Sequence, residues 1–243
     1  MILTISSLKG GVGKTSTAIF LAQAMVNRGH RVLVVDLDHN NNLTDYFLRG
    51  ASLDEIDGKN IREVLTGKAV LPSAIWKLVL GPGMPLDIIP ATPSLATIGI
   101  ECASNPASVL RLRSALRKLD YDHVIIDTPP ALTLELTAGL YAADMVIVPV
   151  SASRWTVQGY QVIASQIAGV EDAGIKMPRI VALPSMVTAM QAEVLQNVEI
   201  WDCLRSSIRR DVAIATAASE GRVLRAGTHA DGWFDELAVE VVG

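Results

Sequence analysis

Cysteines and long apolar runs are scarce in this chain of 243 residues. Its 2 cysteines, Cys102 and Cys203, are too few for a disulfide framework, and neither has a closely spaced partner that would complete a zinc site. The longest apolar stretches, such as residues 145–150, are far shorter than the roughly 18 residues that a membrane-spanning helix needs. The N-terminus also lacks the basic region of a secretory signal peptide. We therefore expect a reduced, soluble, cytoplasmic protein.

Charged residues make up only 19% of the chain, and neither sign dominates them. Lysine and arginine together number 21 against 25 aspartate and glutamate residues, which gives a net charge of −4. This balance argues against a generally basic nucleic-acid-binding protein but leaves room for a local basic patch. Hydrophobic residues make up 50% of the chain, enough to offset chain entropy and to exclude intrinsic disorder.

Short apolar runs alternate with longer stretches of helical periodicity along the whole chain. The runs predict strands, most of them apolar on both faces, at residues 2–6, 31–36, 86–90, 123–127, 145–150 and 179–184. Apolar residues at helical spacing predict helices at residues 15–28, 106–119, 134–142 and 157–173. The only candidate linker, residues 81–85, is better explained as a turn before a strand. The pattern predicts one α/β domain over residues 1–243, a doubly wound, mostly parallel twisted sheet with helices on both faces.

A glycine-rich loop follows the first predicted strand and precedes the first predicted helix. Its sequence is Lys9-Gly10-Gly11-Val12-Gly13-Lys14-Thr15, followed by Ser16. Glycines let backbone N–H groups turn toward a ligand and a helix N-terminus adds partial positive charge, so such loops cradle phosphate oxygens. Lys14 is placed to reach the β- and γ-phosphates, and the Thr15 hydroxyl to bind Mg²⁺. The loop departs from the common pattern, because Leu8 replaces its first glycine and Lys9 adds a second lysine.

Aspartates stand at the ends of two predicted strands. Asp127 ends an apolar strand at the sheet edge where α/β proteins bind ligands, and its carboxylate can hold the hydration shell of Mg²⁺. Its alternative role is an N-cap for the next helix. Asp36 and Asp38 are two residues apart, so both side chains lie on one side of the chain if the strand continues that far. The alternative for this pair is a solvated turn.

The loop resembles the KGGxGK[ST] motif of the deviant-Walker P-loop ATPases, the family that includes ParA, Soj and MinD. The resemblance continues in order through RVLVVDLD at residues 31–38, LDIIPATP at 86–93, YDHVIIDTPP at 121–130 and ADMVIVPV at 143–150. It extends from residue 2 to about residue 221 and is greatest to the short ParA/Soj branch, which has no added N-terminal DNA-binding domain. The resemblance implies a P-loop NTPase fold, ATP and Mg²⁺ as cofactors, and hydrolysis of ATP to ADP and phosphate.

The resemblance also implies a role for the matched residues. Asp38 orients the attacking water, Lys14 contacts the phosphates, and Asp36 supports a metal site formed with Thr15 and Asp127. Lys9 crosses a two-fold interface and contacts the phosphates of the partner, which makes ATP part of a homodimer interface. The catalytic residues are then Lys9, Lys14 and Asp38.

Two segments depart from the family pattern. His39-Asn-Asn-Asn42 replaces the usual Pro-Gln after the paired aspartates, so the first switch loop is expected to differ in stiffness. Residues 207–217 resemble the IPRxVxxAEA segment, but Arg209 replaces its proline and Thr216 its glutamate. We still expect the adenine base to lie beside Met186 and Ile208.

The function that the resemblance implies is that of a ParA-type positioning ATPase. Such a protein dimerises with ATP, binds DNA without sequence preference on the nucleoid, and is released when a ParB-like or cargo-adaptor protein stimulates hydrolysis. The cargo is a plasmid, a chromosome or a protein assembly. Residues 205–225 form a basic patch, because this segment contains five arginines and two acidic residues and so has a local charge of +3. We expect these arginines to contact DNA: Arg205, Arg209, Arg210, Arg222 and Arg225.

Three other functions share parts of these motifs. A MinD-like membrane regulator needs a basic amphipathic C-terminal helix, but residues 231–243 are acidic and contain no lysine or arginine, so we expect no membrane binding. A nitrogenase-iron-protein-like reductase needs cluster-binding cysteines in glycine-rich loops, which neither cysteine has. A biosynthetic ligase or amidase needs a substrate site, for which the sequence shows no motif.

Overall fold

Eight strands form one sheet within residues 1–80, 84–105, 107–172 and 174–243, the part of the chain that the computed structural model describes. The strands are β1 (Ile2–Ile5), β2 (Val32–Asp36), β3 (Trp76–Val79), β4 (Pro85–Ile89), β5 (His123–Asp127), β6 (Met145–Val150), β7 (Arg179–Val187) and β8 (Ile208–Arg209). Their order across the sheet is β3-β4-β2-β5-β1-β6-β7-β8. All neighbours are parallel except β3 and β4, which are antiparallel. The predicted doubly wound, mostly parallel sheet is therefore confirmed.

The six predicted strands are all present, and the sequence reasoning missed β3 and β8. Along β3 partly buried and exposed residues alternate, because this strand lies at the edge of the sheet and only one of its faces is covered. Its composition therefore lacks the continuous apolar run that identified the buried strands. Strand β8 has only two residues, and its pairing with β7 is irregular between Ser185 and Val187, so it leaves no periodic signal.

Eleven α-helices are present in the described residues. They are α1 (Lys14–Asn27), α2 (Asn42–Phe47), α3 (Leu53–Ile56), α4 (Ile61–Thr66), α5 (Ile98–Glu101), α6 (Ser108–Leu116), α7 (Leu134–Ala142), α8 (Arg154–Asp172), α9 (Ala189–Gln196), α10 (Val212–Glu220) and α11 (His229–Val242). Short 3₁₀ turns cover Leu71–Ala74 and Pro93–Thr97. The four predicted helices correspond to α1, α6, α7 and α8. Three predicted features fall wholly or partly outside the described residues: the helix start at residue 106, the helix end at residue 173, and residues 81–83 of the turn at 81–85.

Helices cover both faces of the sheet. On β1, Leu3 and Ile5 face the layer that contains α1, α10 and α11, whereas Ile2 faces the layer that contains α4, α6 and α7. Helix α8 packs beside α7 and covers β6 and β7 on that second face. Because successive residues of a strand point to opposite faces, both faces can be apolar only if both are buried, as the sequence predicted.

Helix α11 lies on α1, the helix that follows the glycine-rich loop. The rings of Phe20 and Phe234 are 5.4 Å apart, and Phe234 is part of an apolar face of α11 that is buried. An ion pair at 2.7 Å joins Arg28 to Asp235. In the stretch leading to α11, the side chain of Gln23 exchanges two hydrogen bonds with the backbone of Leu224, at 3.1 and 3.2 Å. The apolar face of this helix therefore belongs to the core.

In the part of the chain that the structure describes, no helix combines the length and the apolar character needed to cross a membrane.

Candidate functional site

A cavity of about 380 Å³ opens at the carboxyl ends of the central strands. The loop between β1 and α1 forms one wall with Gly10, Gly11, Gly13, Lys14, Thr15 and Ser16. The remaining lining residues are Asp38, Asn40 and Asn42 after β2, Pro130 after β5, Met186 in β7, and Asp211, Ile214 and Ala215 at the start of α10. The predicted loop residues therefore line the cavity, apart from Lys9 and Val12.

The loop has a backbone that only glycine adopts without strain. Gly11 and Gly13 have positive φ values of 71° and 87°. A Cβ atom on Gly13 would lie 3.0 Å from the Ser185 hydroxyl oxygen on β7. That hydroxyl donates a hydrogen bond of 2.8 Å to the backbone carbonyl of Val12. Strand β7 therefore fixes the loop from the side and leaves the N-terminus of α1 open to the cavity.

Thr15 and Asp127 form a hydrogen-bonded pair beneath the cavity. The Thr15 hydroxyl donates to Asp127 Oδ2 at 2.7 Å. The other oxygen, Asp127 Oδ1, is buried and has no hydrogen-bond partner among the described residues. Burial first, and then the nearby Asp36, raise the pKa of Asp127 to about 8 against the opposing effects of Thr15 and Lys14. A buried carboxylate oxygen beside a hydroxyl suits a hard cation such as Mg²⁺ or a water bound to it.

Lys14 supplies positive charge next to this carboxylate. Its side chain is buried, and its ammonium group donates a long hydrogen bond of 3.5 Å to the Lys9 carbonyl. Burial lowers the pKa of Lys14, while the carboxylates of Asp127 and Asp38 act in the opposite direction. An ammonium group with so few protein partners is available to an anionic ligand.

The two aspartates after β2 have different surroundings. Asp36 is fully buried and accepts three hydrogen bonds, from the Asp38 amide and from the amide and hydroxyl of Thr44, at 2.8 to 3.0 Å. Both of its oxygens therefore hold the loop between β2 and α2. Burial raises the pKa of Asp36 to about 6. Asp38 lines the cavity, and within the described part of the chain only its Oδ1 atom accepts hydrogen bonds, both from Asn40 at 2.9 Å. Asp38 can therefore reach a ligand with its second oxygen, whereas Asp36 serves the loop.

Comparison with known proteins identifies the family. The AAA domain family model matches residues 1–178. Over 257 aligned residues, the chain is 32% identical to the chromosome-partitioning ATPase Soj of Thermus thermophilus, and the match covers 99% of this chain and 94% of Soj. The chain belongs to the ParA/Soj family of P-loop ATPases. The resemblance found in the motifs is thereby confirmed over the length of this chain.

Solved structures share the fold of this ParA/Soj-type ATPase. Cobyrinic acid a,c-diamide synthase of Mycobacterium smegmatis, with bound ADP and magnesium, has a TM-score of 0.78 at 27% identity, covering 99% of this chain and 93% of that one. The Cyanothece McdA(D38A)–ATP complex has a TM-score of 0.83 at 23% identity, covering 99% and 95%. The second likeness concerns the fold alone.

Lys9 of this ParA/Soj-type ATPase does not line its own chain's cavity, although its neighbours Gly10 and Gly11 do. Its ammonium group donates a hydrogen bond of 3.1 Å to the Ser151 hydroxyl, just after β6. The sheet order explains the direction, because β1 lies between β5 and β6. Lys14 and Thr15 lie near Asp127 on the β5 side, and Lys9 extends to the β6 side.

The wall opposite the loop differs in part from the prediction. Met186 lines the cavity as expected, with a left-handed backbone of φ 59°. Ile208, in β8, is not among the residues that line the cavity, although its side chain is no more buried than that of Ile214, so its predicted contact with the base stays a prediction. The apolar residues that line the wall instead are Ile214 and Ala215 of α10, which the sequence reasoning missed. The sequence motif identified residues 207–217 as part of this wall, but it did not show that strand β8 ends and helix α10 begins within them.

The five predicted DNA-binding arginines of this ParA/Soj-type ATPase are all exposed, and we call them the arginine cluster. They lie in the segments on either side of α10: Arg205, Arg209, Arg210, Arg222 and Arg225. Arg222 forms an ion pair with Glu220, and the Arg209 guanidinium lies 5.9 Å from the ring centre of Trp233. The other three form no ion pair with a described residue.

Proposed function

We propose that this protein is a positioning ATPase that binds ATP with Mg²⁺, dimerises around the nucleotide, and binds DNA without sequence preference. A ParB-like or cargo-adaptor protein stimulates hydrolysis and releases the dimer. The observation that carries the proposal is the separation of the two loop lysines. Lys14 faces the cavity of its own chain, whereas Lys9 extends away from it.

The residues around the cavity fit ATP and Mg²⁺. The open backbone of the loop offers N–H groups to phosphate oxygens, and Lys14 adds a cation beside them. Thr15 and the unpartnered Oδ1 of Asp127 are the groups that would hold Mg²⁺ through its waters. The metal would neutralise charge on the phosphates. The apolar side chains of Met186 and Ile214 offer a surface for the base.

Asp38 is the residue suited to orient water for hydrolysis. Its carboxylate faces the cavity, and Asn40 fixes one of its oxygens, which leaves the other free to accept a hydrogen bond from water. Lys14 stabilises negative charge on the transferred phosphoryl group. A site built from one chain lacks a second cation at the phosphates, so we expect slow turnover by the isolated protein and faster turnover once Lys9 of a second copy is in place.

DNA binding is assigned to the arginine cluster. Guanidinium groups suit phosphate oxygens and give contacts that do not depend on base sequence but weaken with salt. A local charge of +3 in a chain of −4 is modest. Binding should therefore become useful when dimerisation presents two clusters to one duplex.

A biosynthetic amide-forming enzyme is the second candidate, favoured by the likeness to cobyrinic acid a,c-diamide synthase. An enzyme of that kind would release ADP in response to a carboxylate and an amine donor rather than to a DNA-bound partner. A MinD-like membrane role is less well supported, because the apolar face of α11 is packed against α1. A cluster-binding role is also less well supported, because Cys102 is buried in the core.

Analytical ultracentrifugation with a non-hydrolysed ATP analogue tests the proposal. The parent protein should be monomeric without the nucleotide and dimeric with it. Lys9→Ala should remain folded and bind the analogue, but dimerise and hydrolyse less. The matched control is Lys118→Ala, which removes an exposed lysine far from the cavity. A Lys9→Ala variant that dimerises and hydrolyses like the parent would contradict the role of Lys9.

Fluorescence anisotropy with DNA duplexes of unrelated sequence tests the proposed DNA binding. Binding should require ATP and decline as salt rises. If no binding appears with ATP at low salt, the DNA-carrier function is wrong. If turnover then responds to a carboxylate and an amine donor, the biosynthetic candidate replaces it.

A further inference from the structure

Lys9 has a partner within its own chain, and that partner is outside the nucleotide cavity. The Lys9 ammonium donates to Ser151 Oγ at 3.1 Å. Ser151 is itself held by Thr156, whose buried hydroxyl donates to the Ser151 carbonyl at 3.0 Å and lies 3.4 Å from the Ser151 hydroxyl. The serine oxygen is therefore positioned by a second hydroxyl.

The sheet fixes the spacing between the two ends of this contact. Strands β1 and β6 pair in parallel, with Ile5 opposite Ile147, and the Ser6 amide donates to the Ile147 carbonyl at 3.0 Å. Lys9 and Ser151 follow these strands within a few residues, so the pairing of β1 with β6 keeps their backbones close together. The contact is therefore built into the fold.

The chemistry of the contact allows exchange. Among the ion pairs of the described residues, none joins Lys9 to a carboxylate. A neutral hydroxyl binds an ammonium group more weakly than a carboxylate or phosphate does. A phosphate offered by another molecule can therefore displace it.

We propose that Ser151, positioned by Thr156, is a latch that holds Lys9 in the monomer and restrains ATP-dependent dimerisation. This inference rests on the proposed function, because it assumes that Lys9 acts on the phosphates of a second copy. Forming the dimer then requires the Lys9–Ser151 hydrogen bond to break. Ser151 is a positioning residue, and its loss should favour the dimer.

The first test uses the monomer without nucleotide. The rate at which sulfo-NHS-acetate acetylates the Lys9 amine is followed by mass spectrometry. Ser151→Ala should raise this rate about twofold to tenfold, the range that one net hydrogen bond allows. Ser151→Thr keeps the hydroxyl and should restore the parent rate. Ser153→Ala is the matched control in the same loop and should behave like the parent. An unchanged labelling rate in Ser151→Ala would overturn the latch.

The second test measures the dimer dissociation constant with a non-hydrolysed ATP analogue. Ser151→Ala should lower it about twofold to tenfold, and the same change should have no effect when Lys9 is already alanine. An effect that persists without Lys9, or a weaker dimer in Ser151→Ala, would overturn the inference. A parent protein that never dimerises contradicts the proposed function itself. A parent that dimerises while Ser151→Ala has no effect contradicts the latch alone.

Discussion

Replacing Asp127 by asparagine should stabilise the protein in the absence of metal and nucleotide. Asp127 ionises near 3.8 in the unfolded chain, but burial raises its pKa to about 8 in the folded protein. A group whose folded pKa lies above its unfolded pKa contributes stability below the lower value and loses it as the pH rises through the higher value. The parent protein should therefore lose stability between about pH 4 and pH 8, and the variant should lack this loss.

The size of the effect follows from the interval between the two pKa values. While the unfolded chain is ionised and the folded chain is protonated, the free energy of unfolding falls by about 1.4 kcal/mol per pH unit. At pH 7 the loss reaches about 4 kcal/mol. Asparagine can still accept the hydrogen bond of the Thr15 hydroxyl, so this contact remains. For a chain of this size, the Tm of the variant relative to the parent should rise by about 5–10 °C between pH 5 and pH 7.

Differential scanning calorimetry in EDTA at pH 5, 6 and 7 measures the difference in Tm between Asp127→Asn and the parent. Asp36→Asn is the contrasting variant, because both Asp36 oxygens accept hydrogen bonds. In asparagine an NH₂ group would replace one oxygen and would point at an N–H or O–H group of Asp38 or Thr44 that also donates. The free energy of unfolding of Asp36→Asn should be about 1–3 kcal/mol lower than that of the parent. With Mg²⁺ and an ATP analogue, the parent should gain more stability than Asp127→Asn does. A Tm difference between Asp127→Asn and the parent that does not change with pH would refute the electrostatic reasoning. So would an Asp127→Asn variant that is less stable than the parent at pH 7.

The remaining predictions concern the cavity and the arginine cluster. Lys14→Gln should lose nucleotide binding in isothermal titration calorimetry, because it removes the cation that we propose contacts bound phosphate. Asp38→Ala should bind ATP but hydrolyse it at least about a hundredfold more slowly, the loss expected for one positioned acid–base group; weakened binding with normal turnover per bound nucleotide would mean that the roles are misassigned. Gly13→Ala should also abolish binding, since its Cβ would lie 3.0 Å from a hydroxyl oxygen of β7 and its φ is positive. Arg225→Ala should reduce the salt dependence of DNA binding by about one unit of slope, and Arg222→Ala, whose guanidinium is already ion-paired, should reduce it less; equal effects would argue against this distinction.

Local sequence predicted the loop and the strand ends well, because their geometry follows from neighbours in the chain. Glycines set the backbone of the loop, and continuous apolar runs identify buried parallel strands. Asp127 could be placed next to Thr15 because carboxyl ends of parallel strands meet at one edge. The short helices α2 to α5 could not be found, since four to six residues carry too little periodicity.

Other contacts between distant parts of the chain were beyond the reach of sequence reasoning. Ser151 is 142 residues from Lys9, and neither residue type indicates the other. Ile208 was expected beside the base because its segment matches a family motif, but it is not among the residues that line the cavity. The same segment then begins α10, which brings Ile214 to the cavity.

The packing of α11 on α1 has a consequence for the order in which the protein matures. A ribosome delivers α1 and its loop early, but the residues that cover α1 come from the other end of the chain; Gln23 and Leu224 are 201 positions apart. Until that distant segment emerges, the side of α1 that packs on α11 has no cover, and contacts of such long sequence separation form slowly. Nascent chains stalled before α11 should therefore be sensitive to proteases and should not retain ATP. The capacity to bind nucleotide would then arise only after α11 has been made.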